Sequence, residues 1–327
     1  MPTPGNNIVI VSPALEIANN GNWQTAYRWS RFLAPRYKVS IVPDWRQGGD
    51  IPDVMIALHA RKSAQSIANF AAAFPRRPLI VVLTGTDLYQ DIRINADAKH
   101  SLDLATGLVV LQEQGVCELA PAHRKKCHVI YQSARKLKPF SAGPSHFVAV
   151  LVGHMRDVKD PLTPMRALGH TPASSKLRLI HIGNALEPKF RKAAETLEQN
   201  NPRYIWLREL SHAQTRQRIK RAQLMVISSL MEGGANVIIE AITSGVPVIA
   251  SKVSGNIGML GRDYVGYFPV GNSKTLAQLL DQAEHEPNFL KYLKQQCERR
   301  MVLFSPDREN DAVNALVDDS LDKRRPQ

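Results

Sequence analysis

An α/β protein built from two doubly wound domains is the fold class that the sequence predicts, on three grounds. At 327 residues the chain exceeds one ordinary core and suits two of ~150 residues each. Short apolar runs alternate with amphipathic stretches through both halves, as in βαβ units on parallel sheets. A stretch rich in Ser, Lys, Pro and Gly over 132–145, with Pro139 and Gly143-Pro144, interrupts the series and reads as a linker.

In the first half the strand-like runs are 8–11, 39–42, 54–58, 79–83, 108–111 and 128–131, with helical patterns at 23–33 and 63–73. In the second half they are 147–152, 177–182, 204–207, 224–227 and 246–250, and helices begin near Leu162, Pro188, Ser211, Ala235 and Ser273. The expected division is an N-terminal domain over 1–143, a C-terminal domain over 144–305 and a polar tail over 306–327 that either packs back on the first domain or frays. The two domains are expected to face a central cleft, with the ligand at the carboxyl ends of the strands.

Composition narrows the function. Hydrophobic residues at 44% and charged residues at 22% are globular values. No run approaches the ~18 apolar residues of a membrane span, and the N-terminus lacks the pattern of an export signal, so a cytoplasmic protein with no membrane partner is expected. Cys117, Cys127 and Cys297 are odd in number and widely spaced, which fits reduced thiols. The net charge of +13 invites a nucleic-acid reading. No basic tract is interleaved with aromatics, however, so a cleft for multiply anionic small molecules is the expectation.

The densest motif runs from Met231 to Ser251. A strand ends, Gly233-Gly234 forms a loop, and a helix starts at Ala235 or Asn236. Glycines permit close backbone approach, and N–H groups at a helix start attract anions, so a diphosphate suits this place. Glu232 and Glu240 are eight residues apart, which spreads them along one ligand as acceptors for sugar and ribose hydroxyls rather than pairing them at one proton. Two glutamates alone would read as ordinary surface ion pairs; the Gly-Gly context argues otherwise.

No Asp-x-Asp occurs, and the His123 to His128 segment has a basic middle, so no metal and no cofactor are expected. The first strand opens into Asn20-Gly21-Asn22 rather than a Gly-x-Gly-x-x-Gly fingerprint, which argues against a nicotinamide enzyme. His59 with Arg61 and Lys62 before a helix suits a small anion, although a lone histidine is more often structural. Asp87, in the loop with Thr86, is equally able to cap a helix.

The Glu-x7-Glu arrangement, with the Gly153-His154-Met155-Arg156-Asp157-Val158-Lys159 segment, resembles the glycosyltransferase-B fold of two Rossmann-like domains, in the family 4 type of retaining transferases. That resemblance implies that Arg156 and Lys159 hold the leaving phosphates, that Gly153 permits their approach, and that Glu240 holds the ribose and Glu232 the transferred sugar. It also implies that Gly183 and Arg208 lie at strand ends lining the nucleotide pocket. Val158 departs from the family, where an acidic residue commonly precedes the lysine.

Segments along nearly the whole chain, including SPALEIANNGNWQTAYRW, ALHARKS, LTGTDLYQDI, YQSA, VGHMRDVKDP and SGNIGMLGRDYVGYFPVG, are similar to one narrower group, the selenosugar synthases of selenoneine biosynthesis. The likeness implies transfer of the sugar of UDP-N-acetylglucosamine or UDP-glucose to selenophosphate, then loss of phosphate. It implies acceptor contacts from Asn20, Gly21, Asn22, His59, Arg61, Thr86, Asp87, Gln132 and Ser133, with His59 joining Arg156, Lys159 and Glu232 in catalysis. A hydroxyl acceptor, a non-catalytic sugar-nucleotide module and, more distantly, a nucleic-acid binder remain alternatives. Family 4 likeness implies retention at the anomeric carbon, whereas a soft nucleophile attacking the opposite face inverts it.

Overall fold

The computed structural model describes residues 5–14, 21–48, 51–138, 140 and 146–323. It divides into two compact units: Met1–Ser133 with Ser305–Gln327, and Ala134–Phe304. The chain therefore passes between units ten residues earlier than the expected break at 143/144, which itself lies outside the described residues.

The first unit is built on β1 (Asn7–Val11), β2 (Lys38–Val42), β3 (Val54–Leu58), β4 (Leu79–Leu83), β5 (Gly107–Val110) and β6 (Cys127–Val129), all parallel, in the order β2-β1-β3-β4-β5-β6. β3 and β4 are buried at every position, as strands covered on both faces must be, which is why they read as unbroken apolar runs. Alternate residues feed two cores. Val9, Met55, Ala57, Val81 and Val110 pack with Ile67 and Phe70 of the helix Ala64–Ala73, while Ile10, Ile56, Val82 and Val109 pack with Trp29 and Leu33 of the helix Gly21–Leu33.

The polar tail is the helix Pro306–Asp322, and it joins the second of these cores through Val313, Leu316 and Val317, spaced for one helical face. The buried Glu309 carboxylate accepts hydrogen bonds from Arg28 Nε at 2.7 Å and Trp29 Nε1 at 2.8 Å, so this acidic residue is paired rather than stranded. Asp318 pairs with Arg36 at 2.7 Å and accepts from the Tyr37 hydroxyl.

The second unit carries β7 (Phe147–Val152), β8 (Leu177–Ile182), β9 (Tyr204–Trp206), β10 (Leu224–Ile227), β11 (Val248–Ser251) and β12 (Tyr267–Phe268), again all parallel, in the order β12-β11-β10-β7-β8-β9. From β7 the chain moves outward to β9, then returns to the other side of β7 at β10. The strand order thus reverses between β7 and β10, and loops leaving their carboxyl ends part there to leave a crevice. In the first unit the corresponding reversal lies between β1 and β3.

Sequence patterning missed β12, only two residues long, and the helices Ser254–Leu260 and Pro287–Arg300. The first of these helices opens SGNIGML, whose glycines and asparagine carry little helix propensity. No helix among the described residues is long and apolar enough to cross a membrane.

Candidate active site

At the reversal between β7 and β10 lies a recess of about 310 Å³, a volume that includes space open to solvent, with Gly153, His154, Lys159, Ser228, Ser229 and Glu232 on its wall. Gly153 follows β7 at φ 149°, and its N–H is held by the carbonyl of Ile182 at 2.9 Å. Next to it, Gly183 at the end of β8 is required to be glycine: a Cβ there would meet the Gly153 carbonyl oxygen at 2.2 Å. That requirement concerns packing of two strand ends, and it gives Gly183 a structural reason to be present.

Two charged residues of the recess are joined to each other. Lys159 Nζ forms an ion pair with Glu232 Oε1, and Ser229 Oγ donates to the same oxygen at 2.6 Å. Their loops are stitched together by Ser228 Oγ, which donates to the Lys159 carbonyl at 2.9 Å, and by Leu230 N–H, which donates to the Val158 carbonyl at 2.9 Å. Glu232 is positioned from behind as well, because its carbonyl lies where a Cβ on Gly255 would stand, at 1.7 Å. Ser251 Oγ donates to the Ser229 carbonyl at 2.6 Å, and Asn256 Nδ2 donates to the Ser251 carbonyl at 2.9 Å. Ser228, Ser229, Gly255 and Asn256 were absent from the sequence-derived set. Only their proximity to Lys159 and Glu232 reveals them.

His181 is on the recess wall as well. Burial pushes its imidazole down to about 4, partly opposed by a hydrogen bond with the Gly153 backbone, and Nδ1 lies 3.0 Å from the Tyr204 hydroxyl. It is a neutral wall residue at physiological pH.

Arg156 is exposed and is not on the recess wall; among the described residues its guanidinium has no ion-pair partner. Gly233, Gly234 and Ala235 lead into the helix Asn236–Thr243, whose N-cap, Ala235, has no side chain able to accept a hydrogen bond. Val237 of this helix reaches the recess, but Glu240, about one turn further, does not. The Glu240 carboxylate instead accepts from His212 Nε2 at 2.7 Å. Arg208, the remaining residue expected at the nucleotide, is engaged elsewhere: Nη1 pairs with Glu198 at 2.9 Å and donates to the Trp206 carbonyl at 2.6 Å, and the guanidinium stacks on the Trp206 ring at 3.9 Å. Its backbone is left-handed at φ 57°.

A second polar cluster stands at the carboxyl end of β3 in the first unit. His59 is buried in a left-handed conformation at φ 73°, a costly state for a non-glycine residue. Its Nδ1 accepts from the Lys62 N–H at 3.3 Å, which places the ring proton on Nε2, 3.1 Å from the Thr86 hydroxyl. Burial moves the imidazole below its ordinary value, with Lys62 and Arg61 adding to the effect and Asp87 and Asp91 opposing it. Both ring nitrogens are therefore occupied by the protein itself.

Each of the carboxylates around His59 is occupied as well. Asp87 is fully buried and accepts from the N–H groups of Ala60 at 3.0 Å, Thr84 at 3.0 Å and Gly85 at 2.8 Å. A carboxylate so engaged organises the loops, here at the start of the π-helical turn Asp87–Asp91. Asp91, not foreseen, accepts from Arg61 Nε at 2.9 Å. Lys62 is exposed and has no ion-pair partner among the described residues.

The remaining acceptor candidates make no hydrogen bond with this cluster among the described residues. Asn20 lies outside the described residues, and Gly21 and Asn22, expected in a loop, form the first turn of a helix. Gln132 is buried and donates to Thr25 Oγ1, which in turn donates to the Gly21 carbonyl at 2.8 Å. Ser133 Oγ is buried with no hydrogen-bond partner among the described residues.

Against known families, the model of the glycosyl transferases group 1 matches residues 134–300, just over half of the chain and nearly all of the second unit. The chain belongs to that family. A curated relative of the glycosyltransferase, glycosyltransferase 1 domain-containing protein 1 of Xenopus tropicalis, is 27% identical over 267 residues, 74% of this chain and 76% of the relative.

Among solved structures, the Anabaena protein HepE in complex with UDP and glucose superimposes with a TM-score of 0.77 at 16% identity, over 96% of this chain and 100% of that one. Sucrose-phosphate synthase from Thermosynechococcus elongatus gives 0.77 at 16% identity, over 96% and 98%. These likenesses establish a glycosyltransferase-B fold for the two sheets.

Proposed function

We propose that this glycosyltransferase takes its sugar from UDP-N-acetylglucosamine or UDP-glucose and joins it to selenophosphate, in two balanced steps. A selenium lone pair forms the bond to the anomeric carbon as that carbon's bond to the UDP oxygen breaks. Water then cleaves the Se–P bond, releasing phosphate and a 1-selenosugar.

The recess between β7 and β10 suits the sugar-nucleotide half of this reaction. UDP departure builds negative charge, and Lys159 on the recess wall, the exposed Arg156 of the same loop and the start of the helix Asn236–Thr243 supply cationic and dipolar stabilisation for it, with no metal. Glu232, partnered by Lys159 and Ser229 through one oxygen, offers its other oxygen to sugar hydroxyls. HepE, of the same fold, was crystallised with UDP and glucose, which supports the choice of nucleotide.

The observation that carries the acceptor reading is the occupancy of His59, Asp87 and Asp91. A hydroxyl acceptor must lose its proton, usually with help from a general base that has a free lone pair. In this cluster the imidazole, the usual base, has Nδ1 filled by Lys62 N–H and Nε2 bonded to Thr86, Asp87 is fully buried against backbone N–H groups, and Asp91 is ion-paired with Arg61. An acceptor that arrives already anionic and nucleophilic needs no such base, and Lys62 remains to attract it. The similarity of the ALHARKS and LTGTDLYQDI segments to selenosugar synthases supports the same choice.

The test is incubation with each UDP-sugar and selenophosphate, in EDTA, followed by mass spectrometry. A selenium-containing sugar formed with equimolar UDP is the expected result. UDP release without that product, or transfer only to an alcohol, would refute the selenium reading, and loss of turnover in EDTA would refute metal independence.

A further inference from the structure

We infer that His212 is a positioning residue for the nucleotide ribose, acting by holding the Glu240 carboxylate. The inference rests on the reading of Glu240 as the ribose contact, which the family resemblance implies for a residue about one helical turn beyond the recess-lining Val237, and it adds a residue that the sequence motifs do not contain. Glu240 is set within the helix Asn236–Thr243 with its side chain only 10% exposed. A glutamate side chain has three rotatable bonds, so burial alone leaves its two oxygens free to exchange places. His212 Nε2 removes that freedom by occupying Oε1 at 2.7 Å. Oε2 makes no hydrogen bond among the described residues, although the buried Arg216 guanidinium attracts the carboxylate, so Oε2 is the oxygen left for a ligand hydroxyl.

The histidine is itself held. It is the first residue of the helix His212–Arg221, behind a capping box in which Ser211 Oγ accepts from Gln214 N–H at 3.3 Å and the Gln214 side chain accepts from Ser211 N–H at 3.1 Å. One turn along the same helix face, the buried Arg216 reaches Thr243 Oγ1 at 3.3 Å and donates to the Arg135 carbonyl at 2.8 Å. Arg216 therefore anchors this helix to the one bearing Glu240, three residues beyond that carboxylate. His212 stands at the open end of the arrangement, half exposed, while the Glu240 carboxylate that it holds is almost buried.

The neutral imidazole donates through Nε2–H as well as the imidazolium does, so the contact requires a donor and not a charge. An amide in the same place should therefore substitute for it.

Calorimetric titration of UDP and of 2′-deoxy-UDP tests the inference on wild type, His212→Ala, His212→Gln and Glu240→Gln. His212→Ala is expected to weaken UDP roughly tenfold, the usual scale for a lost hydrogen bond to a charged group, while leaving 2′-deoxy-UDP within about twofold. His212→Gln is expected to recover most of the UDP affinity. Equal weakening of both nucleotides, or none, would overturn the role of His212. If Glu240→Gln weakens UDP and His212→Ala does not, the ribose contact stands and the positioning role falls. If neither variant affects UDP, Glu240 does not hold the ribose and both fall together.

Discussion

The two polar clusters of this protein, one at the strand reversal of each sheet, hold their charges in opposite ways. Around β7 and β10, Lys159 and Glu232 neutralise each other through an ion pair at a recess wall, and Arg156 is exposed without an ion-pair partner among the described residues. Around β3, Asp87 and His59 are bonded to backbone and hydroxyl groups in the interior. An ion pair beside open space can be exchanged for contacts with a ligand, whereas a buried carboxylate filled with backbone N–H groups cannot be withdrawn without unfolding its loops. Equivalent places in two related architectures thus hold their charges differently: the second unit's cluster keeps an ion pair beside open space, and the first unit's carboxylates are fixed by backbone and by Arg61.

That contrast is most easily broken at Lys159. Lys159→Ala is expected to reduce kcat/KM for the UDP-sugar by about 10²- to 10³-fold, as for loss of one preorganised charge, with little change in Tm. A variant of ordinary activity would show that the ion pair is only structural. Asp87→Asn should do the reverse. It places an amide NH2 or a weaker acceptor against backbone N–H groups, and a loss of about 3 kcal/mol in a urea titration is expected. Unchanged stability would place Asp87 among the ligand contacts after all.

Acid sharpens the comparison from the side of stability. His181 has its folded value depressed to about 4, so its neutral form is the one that folding favours. Its contribution, on the order of 3 kcal/mol, is complete above the unfolded value of ~6.5 and is lost as pH falls from there through the folded value. His59 and His128, both lowered by burial, act in the same direction. Tm should fall between pH 6.5 and 4, and His181→Gln should flatten that fall; a slope unchanged by the substitution would remove His181 from the account. The smallest effect is expected at Lys62, exposed and with no ion-pair partner among the described residues. Lys62→Ala should raise KM for selenophosphate about threefold in initial-rate measurements, leaving KM for the UDP-sugar as it was. Equal change in both would mean that the lysine does not distinguish them.

The fold was legible because both sheets are parallel and covered on each face. Strands such as β3 and β4 must then be apolar throughout, and the helices between them amphipathic. What patterning lost was short or locally disfavoured, as with β12 and the Gly-rich helix Ser254–Leu260. Lys159 and Glu232 meet at one recess; the Gly-Gly turn before a helix pointed to Glu232, and the family resemblance of the Gly153 to Lys159 segment pointed to Lys159. The buttress behind them was not legible: Ser251 reaches back 22 residues to the Ser229 carbonyl, a contact that no local motif records, and Asn256 holds Ser251 in turn. His59, Arg61 and Asp87 show the opposite limit. Charge in a loop advertises a ligand contact, and only the partners reveal that Asp91 and the backbone hold two of them. The stacking of Arg208 on Trp206, its pairing with Glu198 and its left-handed backbone are likewise not displayed by sequence.

The most direct test of the central claim, that the recess between β7 and β10 holds the sugar nucleotide, is a crystal structure of the protein grown with UDP. The pyrophosphate is predicted to lie at the start of the helix Asn236–Thr243, with Lys159 Nζ drawn from Glu232 to a phosphate oxygen. UDP bound elsewhere, or bound there with the Lys159 and Glu232 ion pair intact, would contradict it.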